Sequence, residues 1–191
     1  MSNVINIIHL PNDPKYPHRE EREKSVIHQM NMEGCKYKFW DGILDNNRKV
    51  GIGKAHKQIV QWAKDNDLES VCIAEDDLRW TGTGAWKYFM ENIPSEFDIY
   101  VGSYYHGSHD ANFIVTGGFS GLTLYVVKNS YFDRFLSLPG INHIDKEIDM
   151  SGAKIVVSPK FVCTQAPGYS DQRRKFVDDS HRIKTKQLFG Q

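Results

Sequence analysis

The chain predicts a single α/β domain with a mixed, mainly parallel central sheet, and three observations carry that expectation. Short apolar runs at Val4 to Leu10, Val71 to Ala74 and Phe97 to Gly102 read as strands, the second without a charge and so suited to burial on both faces. Segments with helical apolar spacing separate them. The 191 residues suit one folded unit, and no linker, repeat or low-complexity tract divides them.

Taken in order, Val4 to Leu10 stops at Pro11-Asn12-Asp13-Pro14, and a charged helix is expected from Arg19 to about Gln29. Tyr37 to Trp40 supplies a second short strand, ended by Asp41-Gly42. Ile52, Ala55, Ile59, Trp62 and Ala63 recur at helical spacing and lead into the Val71 strand. Thr81 is expected to cap a helix running to about Met90, before the Phe97 strand. Tyr104 to Asn112, rich in Gly, His, Ser and Asp, reads as an exposed loop. Phe119 to Val127 reads as one strand interrupted by Gly121. Ser130 opens a short helix closed by Pro139-Gly140, and Ile144 to Met150 forms another that Gly152 ends. Ile155 to Val157 and Phe161 to Cys163 are strand pieces. The expected division is a domain over 1–172 and a charged helical tail over 173–191.

Composition narrows the function. The 24 basic residues balance the 24 acidic ones, so no global field points to nucleic acid, and any charge-based function must be local. Cys35, Cys72 and Cys163 lack metal-type spacing and read as reduced structural thiols. The first ten residues lack the features of a signal peptide and no apolar run reaches membrane-spanning length, so a cytoplasmic place is expected. The basic stretch from Arg173 to Lys186 interleaves Phe176, Val177 and Ile183, which would suit peripheral contact with the inner face of a membrane or a solvated terminal helix.

The most informative stretch is Val71-Cys72-Ile73-Ala74-Glu75-Asp76-Asp77, a strand ending in three carboxylates. Open α/β sheets place ligands at the carboxyl ends of their strands. Neighbouring carboxylates repel by roughly 1 kcal/mol at 4 Å in water and about 4 kcal/mol at an effective dielectric of 20, so a cation is expected beside them. An acidic turn capping the next helix is the plainer alternative.

Several segments together resemble glycosyltransferase family 25, the lipopolysaccharide and procollagen glycosyltransferases. Val4 to Leu10 with its charged helix looks like the family's opening, Gly51-Ile52-Gly53-Lys54-Ala55-His56 resembles its glycine-containing segment ending in Ser-His, and Ile73-Ala74-Glu75-Asp76-Asp77-Leu78 resembles its Leu-Glu-Asp-Asp-Val. Gly121 to Lys128 is similar to its Gly-x-x-x-Tyr-x-Ile strand, Ile144-Asp145 to its Val-Asp, and Pro159 to Asp171 to its closing Pro-x-x-x-x-Gln…Ser-Asp. The resemblance spans about residues 4 to 172. Ala55 replaces the usual Ser, and Asn142-His143 replaces the usual Pro.

The resemblance implies a GT-A-like, Rossmann-like nucleotide-sugar-binding domain and an inverting, metal-dependent hexosyltransferase. Its donor would be a nucleotide sugar such as a UDP-hexose carrying galactose or glucose, and its acceptor a glycan or glycolipid such as lipopolysaccharide. Mn²⁺ or Mg²⁺ suits oxygen ligands and would offset charge on the departing diphosphate. Asp77 is expected to ligate the metal, with Glu75 toward a metal-bound water or the ribose and Asp76 sharing these duties. Asp145 is the expected general base, and Asp149, four residues on, could replace it from the same helical face. Arg19 would contact the nucleotide, with Lys15 and Arg22 as neighbouring cations, although Arg19/Glu23 and Glu20/Lys24 are also ordinary surface pairs. His56, Gln165 and Asp171 would build or order the donor pocket. The Tyr104 to Asp110 segment is the candidate acceptor loop.

Three competing readings follow from the same residues. The departures from the family pattern suit a nucleotide-sugar-binding module without turnover. His106, His109 and Asp110 suggest a hydrolytic metal site but lack a matching third ligand. A nucleotidyltransferase would bring a Gly-rich phosphate loop near the first strand, which Pro11 to Pro14 does not resemble.

Overall fold

In the computed structural model, which describes residues 3–183 and 185–190, the apolar runs pair into one six-stranded sheet. Its members are β1 (Val4–His9), β2 (Lys36–Asp41), β3 (Ser70–Glu75), β5 (Ile99–Val101), β8 (Leu124–Lys128) and β9 (Ile155–Val157). They lie in the order β2-β1-β3-β8-β5-β9. Strand β8 runs antiparallel to β3 and β5, and every other pairing is parallel. The sheet is therefore mixed and mainly parallel, as expected. Its parallel strands deliver His9 and Glu75 to one edge, where β8 begins.

Alternation along β3 shows why the run is uninterrupted. Val71 and Ile73 pack with Ile59, Val60 and Ala63 of α2 (Arg48–Asp65), while Cys72 and Ala74 pack with Val26 and Met30 of α1 (His18–Met32). Both faces of the strand are covered by helices, so no position favours a polar residue until the chain leaves the sheet at Glu75. Asn6 is buried in β1 yet satisfied, donating to the Cys72 carbonyl at 3.0 Å and accepting from Trp40 Nε1 at 2.8 Å. It ties β1 to both neighbours. Asn47 caps α2 by accepting from the Lys49 amide, and Gly51 is required because a Cβ there would lie 2.3 Å from the Ile43 carbonyl oxygen. All three cysteines are free and buried.

Four local expectations are corrected. After the acidic turn, residues 78–80 form β4 (Leu78–Trp80), paired with β10 (Cys163–Gln165), so α3 (Ala85–Glu91) starts from Gly84 and not Thr81. Tyr104 and Tyr105 are buried, and the expected exposed loop contains β6 (His106–His109), paired with β7 (Val115–Ser120). Gly121 therefore separates two strands, β7 and β8, instead of interrupting one. In the tail, β12 (Lys175–Val177) pairs with β11 (Gly168–Ser170), and a 3₁₀ turn covers Ser180–Ile183; no α-helix lies among the described tail residues. The apolar tail residues explain this: Ile183 joins the core and Leu188 and Phe189 pack against it, contacts that outweigh local helix preference. Lys184 and Gln191 of the expected tail lie outside the described residues. The short helices α4 (Phe132–Leu136) and α5 (Ile144–Met150) fall where the sequence placed them. Among the described residues no helix is long and apolar enough to cross a membrane.

Candidate active site

The end of β3 fans its three carboxylates toward different partners. Glu75 accepts from Gln165 Nε2 at 3.0 Å, and its other oxygen lies 3.9 Å from His56 Nε2. Asp76 pairs with His9 Nδ1 at 2.7 Å and with Arg22. Asp77 lies 3.0 Å from the same Arg22 guanidinium, while its Oδ1 is buried without a hydrogen-bond partner. The Asp77 carbonyl accepts from the Ala166 amide at 2.6 Å, so the turn is fixed against the segment after β10.

Electrostatics follow from that crowding. Loss of water raises the Glu75 carboxyl above the usual range, and the Asp77 charge raises it further, against the Gln165 hydrogen bond and Arg22. Asp77 is likewise raised by burial, with Arg22 opposing the shift. His9 loses water too, but its hydrogen bond and attraction to Asp76 outweigh that cost, and its net shift is upward. His56 is buried, and desolvation pushes it down to about 4, so it is neutral near pH 7. Its Nδ1 lies 2.6 Å from the Tyr125 hydroxyl. His56 thus supports the floor beneath Glu75 as an uncharged side chain.

Two clefts of about 870 Å³ each meet along Arg48, Glu75, Gln165, Arg173 and Asp179. The first is walled by α1, the Ile43 to Asp45 segment and the β11–β12 hairpin, and it contains Asp76, Asp77, His56 and Asp171. Asp171 anchors the hairpin to α1 by accepting from Arg19 at 3.0 Å and pairing with His18 Nε2 at 2.9 Å. Arg19 also donates to the Pro11 carbonyl, so its guanidinium braces the wall. Those partners hold Asp171 below the usual carboxylate range against partial burial.

The second cleft contains Asp145. Its Oδ2 accepts from the Gly121 amide at 3.1 Å and its Oδ1 from the Lys146 amide at 2.8 Å. Gly121 has φ +119°, and a Cβ there would meet the Tyr105 ring at 2.8 Å, so the donor amide depends on glycine. Asp149, one helical turn beyond Asp145, lines neither cleft. Glu147 between them is structural, accepting from the amides of Gly140, Ile141 and Asn142.

The histidine segment does not converge on a metal. His106 lies against Arg182, His109 Nδ1 is 2.9 Å from the Tyr104 hydroxyl, and Asp110 accepts from its own loop amides. Among the described residues no three His, Cys, Asp or Glu side chains form a metal cage. The Asp77 position still fits a hard cation. Its buried Oδ1 is free, and such ions are commonly held by one or two carboxylates with substrate phosphates completing the shell.

Sequence reasoning missed two contributors. His9 ends a buried strand with a polar ring, a signal that it faces the strand-end site. Arg48 lines both clefts from the first turn of α2, donating to the Gln172 carbonyl at 2.7 Å. Arg22, expected beside Arg19 as a neighbouring cation, lies against Asp76 and Asp77.

No family model and no curated protein matches the chain. Solved structures share its fold at low identity. A glycosyltransferase involved in glycosylation of the major capsid of PBCV-1 is 12% identical, with TM-score 0.55, covering 94% of this chain and 98% of its own. A197 from STIV is 12% identical, with TM-score 0.54 and 93% of each chain covered. A structure from Bacillus anthracis described as a glucose-1-phosphate thymidylyltransferase, in complex with sucrose, is 12% identical with TM-score 0.50 and 98% of each chain covered. The architecture is thus a GT-A-like α/β domain, shared by glycosyltransferases and nucleotidyltransferases.

Proposed function

We propose that the chain is a metal-dependent, inverting hexosyltransferase of the family 25 type, moving galactose or glucose from a nucleotide sugar to a glycan or glycolipid. The observation that carries this reading is the placement of Glu75 at the junction of two clefts, with Asp76 and Asp77 in one and Asp145 in the other. A sugar-transfer site needs that division, because donor and acceptor must meet from opposite sides of the reacting carbon.

The first cleft would take the nucleotide sugar, and Asp77 with Glu75 would hold Mn²⁺ or Mg²⁺. When bound, the ion would offset negative charge on the leaving diphosphate. Gln165 holds Glu75 by a hydrogen bond, with the neutral His56 beside it, and the Asp171 clasp would keep the hairpin over the donor. In the second cleft Asp145 would accept the proton of the acceptor hydroxyl as its oxygen bonds to the anomeric carbon and the bond from that carbon to phosphate breaks. The Gly121 and Lys146 amides fix the orientation of the Asp145 carboxylate.

One observation favours a second reading, a nucleotide-sugar-binding module without transfer. Arg22 already lies against Asp76 and Asp77, so the carboxylates have a cation without any metal. The deciding experiment is a screen of uridine, cytidine and guanosine sugars for Mn²⁺-dependent binding and hydrolysis. Binding with hydrolysis supports the enzyme, binding without hydrolysis or transfer supports the module, and no binding rejects both.

A further inference from the structure

The chain carries no net charge, yet the second cleft does. Among the described residues Arg48, Lys49, Lys146, Arg173 and Arg182 line it against Glu75, Asp145 and Asp179, with Arg48, Arg173, Glu75 and Asp179 shared with the first cleft. Five cations and three acids leave a formal excess of two positive charges in a concave site, where low-dielectric walls strengthen their field. The excess is also organised. Asp179 is only 9% exposed, and its two oxygens lie 3.1 Å from Arg173 Nη1 and 2.9 Å from Arg182 Nε. One buried carboxylate fixes two guanidinium groups and neutralises one of them. Across the cleft Arg48 spends a donor on a carbonyl, and Lys49 stands exposed on the first turn of α2.

We infer that the second cleft selects an acceptor bearing an anionic group, a phosphate or carboxylate on the sugar, held between the Arg173–Asp179–Arg182 cluster and the start of α2. Guanidinium groups fixed in one orientation suit bidentate recognition of either group. This inference rests on the sugar-transfer reading for the word acceptor, but the anion site itself does not need a donor.

The test is calorimetric binding of glucose 6-phosphate, glucuronate and glucose to the full chain, with and without UDP and Mn²⁺. Glucose 6-phosphate or glucuronate is expected to bind at least tenfold tighter than glucose, and the stronger of the two identifies the anion. Lys49→Gln and Arg182→Gln should each weaken that binding about fivefold or more and leave UDP affinity unchanged. Lys49 is exposed, so its variant tests the site even if Arg182→Gln misfolds. Equal binding of all three sugars, or an unaltered affinity in a folded Lys49→Gln protein, overturns the inference. Direct competition between UDP and glucose 6-phosphate also overturns it, because the cations would then serve the donor. Failure of every uridine, cytidine and guanosine sugar to bind, with sugar-anion selectivity intact, would reject the transferase reading alone.

Discussion

Arg22 reaches from α1 to lie 3.0 Å from Asp77 while also pairing with Asp76, so one guanidinium offsets part of the negative charge of the turn that ends β3. Removing it leaves two crowded carboxylates with less compensation. Arg22→Gln should destabilise the protein by about 2 kcal/mol, below the ~3–5 kcal/mol of a fully enclosed pair because water reaches this one. Urea denaturation with and without Mn²⁺ is the check: the ion should restore part of the loss, and an unchanged midpoint would show that Arg22 is not the balancing charge.

Asp145→Asn should keep donor binding and lose transfer by roughly 10²–10⁴-fold, the usual contribution of a general base. Transfer kinetics beside UDP binding separate these effects. Asp149→Asn, away from both clefts, should behave like the parent. Unchanged transfer by Asp145→Asn would move the base elsewhere.

Gly121→Ala should damage the same step through the backbone. The substitution strains a position at φ +119° and pushes against Tyr105, displacing the amide that orients Asp145. The expected signature is reduced transfer and a lower melting temperature, with UDP affinity within about twofold of the parent.

The Asp171 clasp should show in the pH dependence of stability. Its folded pKa is depressed below the ordinary 3.8, so its contribution is present above that value and is lost as pH falls through the lower folded value. Asp171→Asn should cost about 1 kcal/mol at pH 7, a modest figure for a partly exposed charged hydrogen bond, and the difference from the parent should shrink below pH 3.8. Parallel thermal melts at pH 7 and pH 3 measure it. A deficit as large at pH 3 as at pH 7 would assign the effect to packing.

The legible parts of the chain were those whose local pattern and distant contacts agree. Val71 to Ala74 is apolar at every position because helices cover both faces, and Glu75 to Asp77 follows where the sheet ends. Asp145 stood out through its resemblance to a motif, and the structure puts it in a cleft adjoining Glu75. The parts that misled are set by non-local pairing. Leu78 to Trp80 becomes a strand only because β10 lies beside it, and the polar segment from His106 folds only against β7. Arg19 and Asp171 are 152 positions apart in sequence, and nothing in either segment announces their bond. Arg48 carries no local signal in the sequence, because only the fold shows that both clefts share it.

The most direct measurement of the central claim is calorimetric titration of a UDP-hexose into the parent and Asp77→Asn proteins, each with Mn²⁺ and with chelator. The expected result is Mn²⁺-dependent binding to the parent and loss of that dependence in a folded Asp77→Asn protein. Equal Mn²⁺-dependent binding by both proteins would contradict the assignment of Asp77, and absence of binding to the parent by any nucleotide sugar would contradict the donor cleft itself.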